Sequence, residues 1–295
     1  METVSKNILR NIYKVRAPRA RKYDFGLVLV IGGSEYYSGS PALSGLAAFR
    51  AGVDMVRIVA PRRAADIIAS FSPNLSTTAL EGKWLTEKHL SVLEEATESA
   101  KAVTEGKTAV VIGGGLGRTR ETQKAIRQYF SRVSVPAVVD ADAIYALAQN
   151  PDVFKGRNFL FTPHSYEFFV LTGKKVAGES SLEERIRMVR EQAQKLQTTI
   201  LLKGEVDIIS DGKNTAINKE GSPFLTVGGT GDTLAGIAGA LIARGCGLFE
   251  AGCGAAYING RAGAAASRKF GEAVLATDLI KEIYRVVSVN GARLK

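Results

Sequence analysis

The sequence predicts an α/β protein, with a mostly parallel central sheet, helices on both of its faces and a late β-hairpin. Three observations carry this. Short runs that are apolar at every position alternate with helix-like segments, the pattern of strands buried on both faces. The glycines, 31 in 295 residues, gather mostly where those runs end. Beyond residue 204, two short strand-like segments flank Ser210-Asp211-Gly212-Lys213, whose Asp-Gly pair is a hairpin turn signal.

Taken in order, Leu27-Val28-Leu29-Val30-Ile31, closed by Gly32-Gly33, reads as the first buried strand. A loop over 34–41 leads to a small-residue helix over 42–51, then a strand over 55–59. Pro61 opens the next helix, where its missing N–H costs nothing. Residues 109–112 form a strand ended by Gly113-Gly114-Gly115, and a polar helix follows over 121–130. Further strands are expected at 136–139, 159–161 and 200–202, and the hairpin arms at 206–209 and 215–217. Helices over 233–244, 249–269 and 277–286 end the chain. No internal repeat or low-complexity segment interrupts it. The economical division is a basic, helical extension over 1–21 and one doubly wound domain over 22–295.

Bulk properties exclude several classes. Apolar residues at 45% and charged residues at 23% are those of a soluble globular chain with a substantial core. No apolar run approaches the ~20 residues that span a bilayer; the nearest, 251–266, is broken by Asn259 and Arg261. Cys246 and Cys253 form no Cys-x-x-Cys pair, and His89 and His164 are far apart, so a zinc site is not expected. The absence of a signal-peptide pattern implies a reducing, cytoplasmic setting. The net charge is +10, and residues 1–22 hold seven basic residues against Glu2 alone. A solvated amphipathic helix covering the domain, or a subunit contact, is preferred there over a nucleic-acid arm.

In parallel α/β sheets, ligands bind beyond the carboxyl ends of the strands. Gly32-Gly33, Gly113 to Gly117, Asp140-Ala141-Asp142, Thr162-Pro163-His164 and Lys203-Gly204 should therefore converge on one rim. The most informative segment is Gly228-Gly229-Thr230-Gly231-Asp232-Thr233. Glycine-rich backbone entering a helix offers several N–H groups and the positive end of the helix dipole to a phosphate. Asp232 would repel that anion unless it accepts the proton of an attacking hydroxyl, although an Asp also serves as an ordinary helix cap. His164 either contacts ligand or satisfies its loop. Lys203 pairs with a phosphate or with a nearby carboxylate. One of Asp140 and Asp142 is expected to orient a metal ion or water while the other caps a helix.

These segments together resemble the NAD(P)H-hydrate dehydratase family of the ribokinase-like superfamily, in its form without a fused epimerase domain. The likeness begins at Lys22-Tyr23-Asp24-Phe25-Gly26 and runs through Ile31-Gly32-Gly33-Ser34, Tyr37-Ser38-Gly39-Ser40-Pro41 and Arg50-Ala51-Gly52. It continues through the glycine and aspartate clusters above, with Glu167, to Gly229–Asp232. The resemblance implies a ribokinase-like fold and ADP-dependent repair of the S epimer of NADH or NADPH hydrated at C6, with ATP as the alternative donor and Mg²⁺ on the phosphates. Ser40, Gly115 and His164 would touch the hydrated cofactor. Lys203, Gly204, Glu205, Val206 and Asp207 would lie along the nucleotide with Gly229, Thr230 and Gly231. Asp232 would face the substrate hydroxyl. It further implies a homotetramer. Four departures stand out: Ser40 in place of alanine, Ser165-Tyr166 before Glu167 in place of Pro-Gly, Asn74 in place of glutamate and Tyr145 in place of asparagine. Two other readings compete. One is a kinase of a small hydroxylated metabolite, which shares the Gly-Thr-Gly-Asp element; the other is a catalytically silent nucleotide or nucleic-acid binder, which the intact Asp232 disfavours.

Overall fold

Wherever the sequence holds a short run of Val, Ile, Leu or Phe with no polar face, the chain forms a buried strand. The structure, a computed structural model, describes residues 2–176 and 180–288. Residue 1 of the expected extension, and 177–179 and 289–295 of the expected domain, lie outside the described residues.

The chain opens with β1 (Glu2–Thr3) and α1 (Asn7–Ile12), followed by β2 (Leu27–Ile31), α2 (Gly39–Arg50), β3 (Met55–Pro61), α3 (Arg62–Phe71) and β4 (Ser76–Leu80). Then come α4 (Leu90–Val103), β5 (Thr108–Ile112), α5 (Arg120–Arg132), β6 (Ala137–Val139), α6 (Asp142–Ala148), β7 (Phe159–Phe161) and α7 (Ser165–Thr172). The last part holds α8 (Leu182–Leu196), β8 (Thr199–Leu202), β9 (Asp207–Ser210), β10 (Thr215–Asn218), α9 (Thr230–Ala243), α10 (Leu248–Phe270) and α11 (Ala276–Val287).

All ten strands join one sheet in the order β1-β10-β9-β8-β7-β6-β5-β2-β3-β4. Strands β2 to β8 are parallel to their neighbours among themselves, β9 runs against β8 and β10, and β1 lies parallel to β10. The order steps outward from β2 to β4 and then returns to β5 on β2's other side. This reversal opens a crevice between β2 and β5, the switch point where such sheets bind ligands. One face is covered by α1, α2, α3, α9, α10 and α11, through residues such as Ala47, Ile68, Leu241 and Ile258. The other is covered by α4 to α8, through Leu93, Ile126, Phe168 and Val189 among others.

The buried strands and the hairpin stand within a residue or two of their expected places. Three details differ. Pro61 ends β3 and caps α3 instead of occupying its first turn. The edge strand β4, Ser-Thr-Thr-Ala-Leu, is half exposed and carries too little apolar signal to be seen in sequence. In the basic extension, the helix covers only Asn7–Ile12. Leu9 and Ile12 are buried on α10, the Tyr13 hydroxyl donates to Ala51 O (2.9 Å), and Arg16 pairs with Asp54 while lying 3.6 Å from the Phe25 ring centre. Its positive charge is thus partly spent on fixing the segment to the domain.

Helix α9 sits so close to α2 that a Cβ at Gly236 would lie 2.1 Å from Ser44 O, a backbone atom that cannot swing aside. We expect Gly236→Ala to destabilise the fold by about 1–3 kcal/mol in urea unfolding, the usual cost of overpacking.

Candidate active site

The rim above the β2–β5 crevice is built from loops that lock onto each other through backbone. Gly33 N donates to Gly114 O (2.9 Å), joining the loops after β2 and β5. Gly113 has φ +136°, and a Cβ there would fall 1.7 Å from Asp140 O, so only glycine fits between β5 and β6. Ala141, with φ +48°, turns the chain sharply between two aspartates that do different work. Asp142 accepts from Gly117 N and from Arg118 Nε, both at 2.8 Å, and so shapes the glycine loop. Arg118 in turn lies over the Tyr145 ring at 3.6 Å, which gives that departure from the family pattern a partner. Neither aspartate is a helix cap in the expected sense: Asp142 is the first residue of α6, and Asp140 is buried with its carboxylate receiving Thr162 Oγ1 (2.8 Å) and Lys203 Nζ (2.9 Å).

Helix α9 begins at Thr230, earlier than the expected 233. Its cap is Gly229, with φ +98° and no side chain to bond the first-turn N–H groups. These amides, at the positive end of a 14-residue helix, remain available to an anion. Asp232 therefore lies inside the first turn. Its carboxylate Oδ2 accepts from Ser40 Oγ at 2.9 Å, and its backbone O accepts from Ser44 Oγ at 3.0 Å. A Cβ at Gly114 would stand 2.8 Å from Asp232 Oδ1 and 2.7 Å from Ser40 Cβ, so Oδ1 faces the β5 loop. Burial, with the nearby Asp140, pushes the Asp232 carboxyl up to about 7, while the Ser40 hydrogen bond and Lys203 pull the other way. A carboxylate poised near neutrality in a crevice is suited to taking a proton.

Lys203 closes the other side. Burial works against its charge, but Asp140 and Glu167, at 2.9 and 3.8 Å, hold its pKa above the ordinary value. Burial pushes the buried Glu167 carboxyl up, opposed chiefly by Lys203. The lysine also reaches the cradle itself, since a Cβ at Gly231 would lie 3.3 Å from Nζ. Of the sequence alternatives for Lys203, the structure shows the carboxylate partners, and it places the ammonium beside the uncapped first turn of α9.

The remaining expected residues are distributed unevenly. His164 caps α7, its Nδ1 accepting from Tyr166 N (3.1 Å) and Glu167 N (3.4 Å), while Glu167 returns a bond to His164 N (2.9 Å). Its ring is half exposed on the rim. Gly115 is on the rim too, against Tyr37. In the loop after β8, Glu205 is exposed. Asp207 instead turns inward, accepting from Gly204 N and Asn218 Nδ2, both at 3.1 Å, and burial pushes it up to about 6. Asn74 bonds only to Ser72 nearby. Neither Ser44 nor Asn259 stands out in sequence as a site residue; Asn259 shows there only as a break in an apolar stretch. Asn259 accepts from Thr233 Oγ1 (2.7 Å) and donates to Thr230 O (3.2 Å), pinning the start of α9 to α10. Its signal was a polar residue inside an otherwise apolar helix.

Sequence and structure comparisons agree with this architecture. The sequence model of the NAD(P)H-hydrate dehydratase family matches residues 28–285. A bifunctional NAD(P)H-hydrate repair enzyme of Pyrobaculum aerophilum is 42% identical over 274 residues, 92% of this chain and 52% of that protein. The chain thus spans about half the length of the first curated relatives it matches. An ADP-dependent (S)-NAD(P)H-hydrate dehydratase of Cenarchaeum symbiosum is 36% identical, covering 94% of this chain and 93% of its own. Among solved structures, the ADP/ATP-dependent NAD(P)H-hydrate dehydratase of Bacillus subtilis, co-crystallised with ATP/Mg²⁺, superposes with a TM-score of 0.80 at 25% identity over 98% of this chain and 99% of its own. A ribokinase-like superfamily protein of Enterococcus faecalis, at 24% identity, covers 98% of this chain and 95% of its own with a TM-score of 0.83 and shares the fold. The fold is ribokinase-like, and the chain belongs to the NAD(P)H-hydrate dehydratase family.

Proposed function

We propose that the protein is an ADP-dependent dehydratase acting on the S epimer of NADH or NADPH hydrated at C6. The observation that carries this reading is the pairing of uncapped helix amides at Gly229–Gly231 with a half-buried carboxylate, Asp232, in one crevice.

The chemistry follows from those parts. Hydroxide leaves carbon poorly and phosphate leaves well. The amides of α9's first turn and Lys203 hold the terminal phosphate of the nucleotide and offset its charge. Asp232 accepts the C6 hydroxyl proton as that oxygen attacks phosphorus and the bond to AMP breaks. The ring nitrogen lone pair then expels phosphate from C6, and loss of a C5 proton restores the double bond. The products are NAD(P)H, AMP and phosphate. Ser40 keeps Oδ2 of Asp232 occupied, so Oδ1 is the oxygen that meets the substrate.

Mg²⁺ belongs to the same proposal. Among the described residues no group of three ligating side chains could hold a metal ion unaided. Asp140 and Glu167, the carboxylates beside Lys203, fit an ion carried mainly by phosphate oxygens and water. Such an ion neutralises charge on the transferring phosphoryl group. A kinase of a small hydroxylated metabolite would use the same cradle but accumulate a phosphorylated product. The homologues named ADP-dependent (S)-NAD(P)H-hydrate dehydratase favour release of phosphate instead. Cytoplasmic location and a homotetramer, with no membrane or nucleic-acid partner, complete the reading; no helix among the described residues is long and apolar enough to cross a membrane.

The direct test incubates the protein with hydrated NADPH, Mg²⁺ and either ADP or ATP, following the reduced-nicotinamide absorbance and AMP or ADP. No recovery of NADPH with either donor ends the proposal. Asp232→Asn should keep nucleotide affinity and lose roughly 10²- to 10⁴-fold in turnover; unchanged turnover would leave Asp232 a structural residue. Since Asp232 must be ionised to accept a proton and its carboxyl is raised to about 7, kcat/KM should climb through neutral pH and fall about tenfold per unit on the acid side. The same raised carboxyl makes its ionisation costly to the fold from its unfolded value upward, fully so above about 7. Asp232→Asn should accordingly raise Tm at pH 8 and leave it nearly unchanged at pH 4, as read by scanning calorimetry.

A further inference from the structure

Three aromatic rings stand on the rim outward from Asp232, and the chemistry above leaves them without a task. Tyr36 is 77% and Tyr37 49% exposed, high values for rings that gain by burial. Tyr36 faces Trp84 with ring centres 5.6 Å apart and planes inclined at 57°. Their loops, after β2 and β4, are tied together by Glu35 N donating to Lys83 O (2.9 Å), while Ser34 N donates to Tyr37 O (2.9 Å) within the first loop and Arg63 Nη1 of α3 donates to Glu35 O (2.7 Å). The rings also back the glycine loop. A Cβ at Gly115 would meet Tyr37 Cδ1 at 2.8 Å, and one at Gly117 would meet Trp84 Cζ3 at 2.5 Å. Gly114, beside them in the same loop, is the residue that touches Ser40 and Asp232.

The sheet order decides which ligand these rings serve. Lys203 follows β8, three strands from β5, and adjacent strands lie ~4.8 Å apart, so the loop after β8 places the nucleoside of the donor up to ~14 Å to one side while its terminal phosphate stays at the first turn of α9. The aromatic rings follow β2 and β4, on the opposite side of β5. From β2 to β4 the rim extends ~10 Å away from the reacting centre. An extended dinucleotide covers such a distance through its two riboses and pyrophosphate. The reduced nicotinamide ring is not aromatic, and hydration across C5 and C6 saturates it further, which leaves adenine as the aromatic ring of the substrate.

We infer that Tyr36 and Trp84, backed by Tyr37, form the seat on which the adenine ring of the hydrated dinucleotide stacks. This assignment rests on the dehydratase reading. It assigns a binding role to residues after β2 and β4 that do not take part in phosphoryl transfer.

The test compares wild type with Tyr36→Ala, Trp84→Ala and Trp84→Phe. Binding of NADPH and of reduced nicotinamide mononucleotide, which lacks the adenylate, is measured by calorimetry, and KM for hydrated NADPH and for ADP by turnover. Loss of a base–aromatic stack should weaken NADPH binding and raise its hydrate's KM about 5- to 100-fold in the alanine variants. KM for ADP and affinity for the mononucleotide should hold, and Trp84→Phe should keep most of the binding. The exposed Tyr36 can be removed without disturbing the core, so its variant decides the matter even if Trp84→Ala folds poorly. If wild type binds NADPH and the Tyr36 and Trp84 variants bind it equally well, the seat is refuted while the dehydratase reading stands. A changed oligomeric state with unchanged NADPH affinity would identify a subunit contact and likewise refute it. If wild type neither binds NADPH nor repairs its hydrate, both readings fall together.

Discussion

A carboxylate has to sit in the first turn of a helix whose exposed amides attract phosphate, and much of the crevice is arranged around that conflict. Left alone, Asp232 would either bond the amides itself or repel the anion they are meant to hold. Ser40 and Ser44, one turn apart on α2, restrain its side chain and its backbone. Lys203 supplies positive charge at the neighbouring glycine, and Asp140 and Glu167 keep that lysine in place. The tight packing of α2 on α9 is what brings the two serines within reach. Packing of small residues, which looks like a purely structural matter, thus fixes the direction of the reactive oxygen.

The same sheet separates the two regions proposed to bind ligand. At β8 the rim is made of lysine, glycine and a loop closed by the Asp207–Asn218 bond. At β2 and β4 it is made of aromatic rings and glycine. Between them, β5 and β6 contribute a glycine loop that keeps its backbone low and an Ala141 turn that sends two aspartates in opposite directions. Lys203 with its carboxylates stands on one side of this centre, and the Tyr36–Trp84 ring pair on the other.

How far all this could be read in sequence follows from the physics of each signal. Buried parallel strands announce themselves because both faces are apolar, and glycines at their ends mark the rim because close backbone approach tolerates nothing else. The Gly-Thr-Gly-Asp segment is legible for the same reason, and it lies at the start of α9. Edge strand β4 gave little warning, since one exposed face and a Ser-Thr run resemble a loop. Ser44 and Asn259 were hidden for a different reason. Their partners, Asp232 and Thr233, are distant in sequence, and no local pattern says that two helices will meet there. In the first twenty residues the charge pattern suggested a helical extension covering the domain, and the helix found there is short, with Leu9 and Ile12 buried against α10.

That first stretch carries an implication for how the molecule is assembled. Glu2 and Thr3 pair alongside Ala216 and Ile217, so this ladder joins segments that lie far apart along the chain. Contacts so remote along the chain form slowly, because a large loop must close before they are rewarded. The opening residues should therefore dock after the rest of the sheet has gathered, with water keeping their backbone groups satisfied until then. A two-residue ladder at the sheet's margin is also an easy one to reopen, and amide exchange there should outpace that of the central strands.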